Sequence, residues 1–119
     1  MGNGGELRAR TKRFALRILC MYRVLPAKEE ARILGRQVLR SGTSVGANYR
    51  AACRARSRAE FIAKLGIVLE EADETVFWLE LLLEGGIVKH ENLDALLKEA
   101  EELTAIFVTS LRTAKGIGV

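Results

Sequence analysis

The sequence predicts an all-α protein whose four helices pack as an antiparallel, up-down-up-down bundle. Two features predict it. Hydrophobic residues make up 49% of the 119 and proline occurs once, a composition that suits long helices and argues against disorder or a loop-rich β fold. Apolar residues recur three and four apart through long segments, and the breaks between segments are short, so consecutive helices must pack as neighbours. A chain of this length buries a single core without needing disulfides or a structural metal.

Residues 1–5, Met-Gly-Asn-Gly-Gly, carry nothing to hold them down and are expected to form a frayed, disordered tail ahead of a bundle spanning 6–115. A first helix over about 6–25 carries the apolar stripe Leu7, Phe14, Ile18, Met21 and Leu25. Pro26 ends it, because the ring lacks an N–H and disfavours helical geometry at the preceding residue. A second helix, about 27–56, places Ala31, Leu34, Val38, Val45 and Ala52 on one face. Its middle, Ser41-Gly42-Thr43-Ser44-Val45-Gly46-Ala47-Asn48, costs about 2 kcal/mol against alanine in an isolated helix. Small residues there let another helix approach the backbone closely, or mark a bend. Asn48 shares a stripe with Ser41 and Val45 and suits a register-fixing hydrogen bond better than a ligand.

Ser57-Arg58-Ala59-Glu60 is a capping box, in which the serine oxygen accepts from the Glu60 N–H and the glutamate reaches back to the serine N–H. The third helix, about 58–84, starts there and stops at Gly85-Gly86, residues that tolerate a left-handed cap. It carries two apolar rows, Phe61, Leu65, Val68, Ala72, Leu79 and Leu82 on one, and Ile62, Leu69, Val76 and Leu83 on the other. With Phe77 and Trp78 added, this surface exceeds what one bundle core covers, so part of it is expected to meet another subunit. Gly42, Gly46, Asn48, Ile62, Leu69, Val76 and Trp78 are the candidates for close helix packing or oligomer contact. The fourth helix, about 91–114, shows a similarly broad stripe from Leu93 through Ala100 and Phe107 to Leu111.

Most chemistry is excluded by missing residues. His90 is the one histidine, it stands beside the glycine turn, and no cysteine pair has ligand spacing, so no metal and no cofactor are implied. Glu70, Glu71, Asp73 and Glu74 lack the Glu-x-x-His partners of a carboxylate-bridged metal site and read as a solvated or arginine-paired face. Ser41 and Ser44 have no general base at a recognisable spacing. Gly42 and Gly46 precede no Lys-Ser or Lys-Thr and follow no strand, so they form no phosphate loop. An enzyme is therefore not expected. Cys20 and Cys53 read as reduced, packed thiols of a cytoplasmic protein. No secretory signal is visible, and the apolar region Phe61–Leu83 carries six charged residues, which rules out a membrane span.

Charge is the informative feature. Up to Lys64 the chain holds fifteen Lys and Arg against four acids, a net +11, and beyond it four against eleven, a net −7. On the first helix Arg10, Arg13 and Arg17 share a face, with Arg8 and Lys12 near it. On the second, Arg36 and Arg40 are four apart, as are Arg50, Arg54 and Arg58 if the helix persists to the cap. Arginine favours bidentate phosphate contact, and with Tyr22 and Tyr49 the only aromatics nearby, binding to RNA or DNA would be to the backbone and largely non-specific. The rival reading has these arginines pairing with the acidic second half, in a structural or adaptor protein that binds another protein.

The run Leu39–Asn48, followed after a short gap by Ser57-Arg58-Ala59-Glu60-Phe61-Ile62, resembles the family encoded by intervening sequences in bacterial 23S rRNA genes. The likeness extends to Leu25-Pro26 and to the glycine turn within Leu81–Val88. It implies a left-handed four-helix bundle, homo-oligomeric with pentameric rings as the expected form, and no enzymatic activity. The family also looks like the accessory bundle proteins that work beside reverse transcriptases in diversity-generating retroelements, where a basic ring surface handles nucleic acid. One departure is plain. Many members read Asn-Ile-Ala-Glu-Gly where this chain has Asn48-Tyr49-Arg50-Ala51-Ala52, so no role of that glutamate carries over.

Overall fold

The computed structural model describes residues 2–117, which form α1 (Gly2–Arg23), α2 (Glu29–Cys53), α3 (Arg58–Glu84) and α4 (His90–Lys115), with no strand among the described residues. Each helix packs on the next in sequence, and α4 lies more loosely against α1. The molecule is elongated, 45 × 25 × 21 Å.

The helix ends differ from the sequence reading in instructive ways. α1 begins at Gly2, upstream of the expected start, so residues 2–5 continue the helix where a frayed tail was expected. Extension of an existing helix adds one hydrogen bond per residue without a new nucleus, and Gly4 lies beside Tyr49 of α2. The far end of α1 tightens, with Val24 N–H and Leu25 N–H donating to Met21 and Tyr22 carbonyls three residues back. Pro26 then holds the turn through a 2.8 Å bond from Lys28 N–H, and Lys28 is extended, which delays α2 to Glu29. α2 stops at Cys53 in another tightened turn, Arg54 N–H to Ala51 O and Ala55 N–H to Ala52 O. The expected continuation to residue 56 is thus cut short.

At the start of α3 Ser57 Oγ accepts from Glu60 N–H at 3.1 Å, while the Glu60 carboxylate accepts from Arg56 N–H at 2.8 Å, one residue earlier than a standard box. The end of α3 is a Schellman motif: Gly86 sits at φ 72° and donates to Leu83 O, and Ile87 N–H donates to Leu82 O. Left-handed geometry is the reason a glycine is needed there.

The core is continuous along the molecule, built on Phe14, Ile18, Val38, Val45, Leu65, Leu79, Leu93 and Phe107, all buried. Tyr49 packs its ring 5.3 Å from that of Phe107. The glycines of α2 face α1 and the turn that follows it in the same chain. A Cβ placed on Gly42 would lie 2.8 Å from Ile18 Cγ1, one on Gly46 would lie 3.3 Å from the Thr11 carbonyl oxygen, and Gly35 abuts Tyr22 and Leu25. Gly42 and Gly46 are therefore helix-packing residues within one protomer. The pairings run in opposite order along the two helices.

A buried polar link between α2 and α3 is made by Ser41. Its hydroxyl accepts from Thr75 Oγ1 of α3 at 2.8 Å and donates to the Gln37 carbonyl. Asn48, expected to fix register, instead donates to Ser44 O of its own helix at 2.9 Å. Every buried side-chain polar atom among the described residues has a partner.

Candidate nucleic-acid interface

The close approach that Gly46 allows brings two flanks of α1 and α2 together as a shallow cleft. Arg8 and Lys12 stand one turn apart on α1, and Arg50 and Arg54 stand one turn apart at the end of α2. These four cations, with Ala9, line a space of about 530 Å³. A contiguous cleft of about 350 Å³ shares Arg8, Lys12 and Arg50 and is floored by Ala15, Thr43, Gly46 and Ala47. All four cations are exposed. No carboxylate lines either cleft among the described residues, so the lining is uniformly positive in its charged groups.

The buried Tyr49 phenol lies within electrostatic reach of Arg8 and is pushed up to about 12 by burial and then by a hydrogen bond with Cys53, with Arg8 pulling in the opposite direction. A phenol held above its usual value stays neutral at physiological pH, so Tyr49 adds no charge beside Arg8.

The other candidate arginines are elsewhere. Arg10 lies on the opposite flank of α1, facing α4, where Nε and Nη2 each donate at 2.8 Å to the two oxygens of Glu99 and Nη2 donates at 2.9 Å to Glu102. That fork raises the Arg10 pKa above its usual value and holds Glu99 below the usual carboxylate range, chiefly through the hydrogen bonds. Arg13 and Arg17 are exposed near Glu99 and help hold its pKa down. Arg40 pairs with Glu71 at 3.3 Å and with Glu74 of α3. Arg36 is exposed, with no ion pair among the described residues. Arg58 does not continue a row with Arg50 and Arg54, because α2 has already ended. Its guanidinium donates from Nε and Nη2 to Ala114 O, at 2.9 and 2.5 Å, and so closes the carbonyl end of α4.

Of the eight candidate phosphate-binding arginines, then, the structure brings Arg50 and Arg54 together and joins them to Arg8 and Lys12, which the sequence placed beside the Arg10 face. The i, i+4 spacing of Arg8 with Lys12 and of Arg50 with Arg54 was visible. Which α1 flank meets α2 is shown only by the packing at the glycine seam.

Among the candidate contact residues, Ile62, Leu69, Val76 and Trp78 are half-buried. Leu69, Val76 and Trp78 lean on the core, and Trp78 Nε1 donates to Glu74 at 3.0 Å. The outward apolar residues of α3 are Ile67, Phe77 and Leu81. His90 lies 3.5 Å from Asp94, exposed. No group of metal-ligating side chains occurs among the described residues, and no helix there is long and apolar enough to cross a membrane.

No curated protein matches the chain. A crystal structure of a protein with unknown function from the S23 ribosomal protein family of Bacteroides thetaiotaomicron VPI-5482 is 35% identical and superposes with a TM-score of 0.85, covering 92% of this chain and 98% of that one. The family model of the 23S rRNA-intervening sequence proteins matches residues 6–109. With this match over most of its length, the chain belongs to the 23S rRNA-intervening sequence protein family.

Proposed function

We propose that this protein is a non-enzymatic, cytoplasmic, self-associating bundle that grips the phosphate backbone of nucleic acid in the α1–α2 cleft. The observation that carries the reading is the convergence of Arg8, Lys12, Arg50 and Arg54 around a floor of small residues with no carboxylate among them. The opposed order of contacts along α1 and α2, and the short links between helices, support an up-down-up-down path with the left-handed supercoil usual for such bundles. A floor of glycine, alanine and threonine offers no ring for a base to stack on, so recognition is of backbone and not of sequence.

Four phosphate contacts give a log–log salt slope of about −3 to −4 and a loss of roughly 100-fold in affinity between 50 and 200 mM salt. A mobility-shift titration over a salt series tests this. Arg8→Glu with Arg50→Glu is expected to weaken binding at least about tenfold and to flatten the slope by about two. Arg13→Glu with Arg36→Glu, an equal change of net charge outside the cleft, is expected to cost much less. Equal losses from the two pairs would reduce the effect to net charge and remove the cleft from the proposal, and absence of binding at low salt would end it.

The rival reading, a structural or adaptor protein whose partner is another protein such as a reverse transcriptase, draws its support from Arg10, Arg40 and Arg58, which are consumed inside the chain.

A further inference from the structure

We infer that copies of this chain join head to tail, the outward face of α3 of one copy seating in the groove between α1 and α4 of the next. This rests on the reading that the chain self-associates and names the two surfaces that do it.

The groove exists because α1 and α4 pack loosely. Where the two helices part, at the end that carries both the α1–α2 and α3–α4 turns, they leave a depression of about 890 Å³. Leu16, Met21, Val24, Ile87 and Leu96 line it, and the first and third of these are 53% and 80% exposed. Its charged lining is Arg17 and Lys89 against Glu91, and Arg13 and Arg23 lie exposed on the adjoining stretch of α1. The mouth is apolar with a net positive rim.

The outward face of α3 is its counterpart. Ile67, Phe77 and Leu81 are exposed, Phe77 at 50%, and the Phe77 ring is braced edge-on against Trp78 with centroids 5.0 Å apart. Residues 67, 70, 74, 77, 81 and 84 fall at alternating spacings of three and four, so they form one row along the helix. Glu70 and Glu84 in that row are exposed carboxylates, as is Asp73 beside it. The face is convex and apolar with a net acidic frame, in which Arg40 of α2 neutralises Glu74 while Glu70, Asp73 and Glu84 stay exposed.

Charge decides between the possible pairings. Two α3 faces placed together would set Glu70, Asp73 and Glu84 against their own copies, and two grooves would set Arg17 and Lys89 against theirs, while leaving two concavities unfilled. Of these three pairings of the two apolar surfaces, groove with face alone unites opposite charge and complementary shape. Such a contact uses different surfaces on each partner, so it repeats from copy to copy and closes into a ring or extends as a filament. It occupies the α4 flank of α1 and leaves the Arg8–Lys12 flank open on every copy.

Light scattering on the purified chain tests the pairing. Val24→Asp spoils the groove and Phe77→Asp spoils the face. Both sites are exposed, and far-ultraviolet circular dichroism checks that helicity is kept, with Leu16→Ser as a second groove variant should Val24→Asp lose it. Each variant alone is expected to fall to the single-chain mass of 13.2 kDa. An equimolar mixture is expected to recover a species of about two chains, since the intact face of one variant meets the intact groove of the other. A groove variant that keeps the wild-type mass, or a mixture that stays monomeric at high concentration, overturns the head-to-tail contact. A monomeric wild type would instead remove self-association itself.

Discussion

Replacing Gly42 by alanine, with Gly66→Ala as its partner experiment, tests the reading that small residues in α2 exist to admit α1. Both glycines lie inside helices, and in each the change to alanine should gain about 1 kcal/mol of intrinsic helix stability. Their surroundings differ. A Cβ on Gly66 meets nothing within 4 Å, whereas one on Gly42 meets Ile18 Cγ1 at 2.8 Å and both Ile18 Cδ1 and Cγ2 at 3.2 Å. Ile18 is fully buried and β-branched, so it has neither space nor a second favourable rotamer to retreat into. Overpacking of this kind costs about 1–3 kcal/mol. Gly66→Ala should therefore stabilise by up to about 1 kcal/mol, while Gly42→Ala should be neutral at best and destabilising by up to about 2 kcal/mol. For a chain of this size, each kcal/mol moves the unfolding midpoint by roughly 4 °C. Urea and thermal unfolding followed by circular dichroism, at one fixed protein concentration so that association does not enter, would measure both. Adding Ile18→Val to Gly42→Ala should recover part of the loss, a coupling that distant sites would not show. If Gly42→Ala stabilised as much as Gly66→Ala, the close α1–α2 approach would be wrong, and with it the floor of the basic cleft.

Two further outcomes are expected. Arg10→Ala should cost about 1–2 kcal/mol at neutral pH, because it strips a forked partner from Glu99, whose side chain is only 17% exposed, with the lower figure reflecting solvent access to Arg10. Since Glu99 titrates below its ordinary value when folded, this contribution is complete above the unfolded glutamate pKa of about 4.3 and fades as pH falls through the lower folded value. Stability curves of the variant and the parent should then converge in acid, and a constant gap down to the lowest pH would contradict the pairing. In alkali, absorbance titration should show Tyr49 ionising near 12, with fold stability declining as pH rises from the unfolded tyrosine value of about 10 through that point. Ionisation of Tyr49 near the unfolded value of about 10 in the folded protein would show that it is not enclosed.

The caps show why much of the fold was legible. Ser57 with Glu60, and Gly86 at positive φ, act through hydrogen bonds spanning a few residues, so their signals lie side by side in the chain. The core was equally readable: Phe14, Ile18, Val38, Val45 and Leu79 are buried where a three-and-four spacing put them. Errors fell where two local preferences competed. At Cys53 and Lys28 the helix yielded to tightened or extended turns, because the chain had to reverse there. At residues 2–5 weak glycines were carried along by a helix already nucleated downstream.

The candidate site was harder, for a reason of distance. Arg10 and Glu99 are 89 residues apart, and Arg40 and Glu74 are 34 apart, so nothing near an arginine in the chain says whether a carboxylate awaits it. The amino-acid order alone determined the number of helices, the capped start and glycine stop of α3, the apolar faces and the uneven distribution of charge, all consequences of short-range geometry and periodicity. Which basic flank is neutralised and which stays open was decided by tertiary packing: the glycine seam turns Arg8 and Lys12 toward Arg50 and Arg54, and by the same rotation turns Arg10 onto the acids of α4, because one helix cannot present both flanks to the same neighbour.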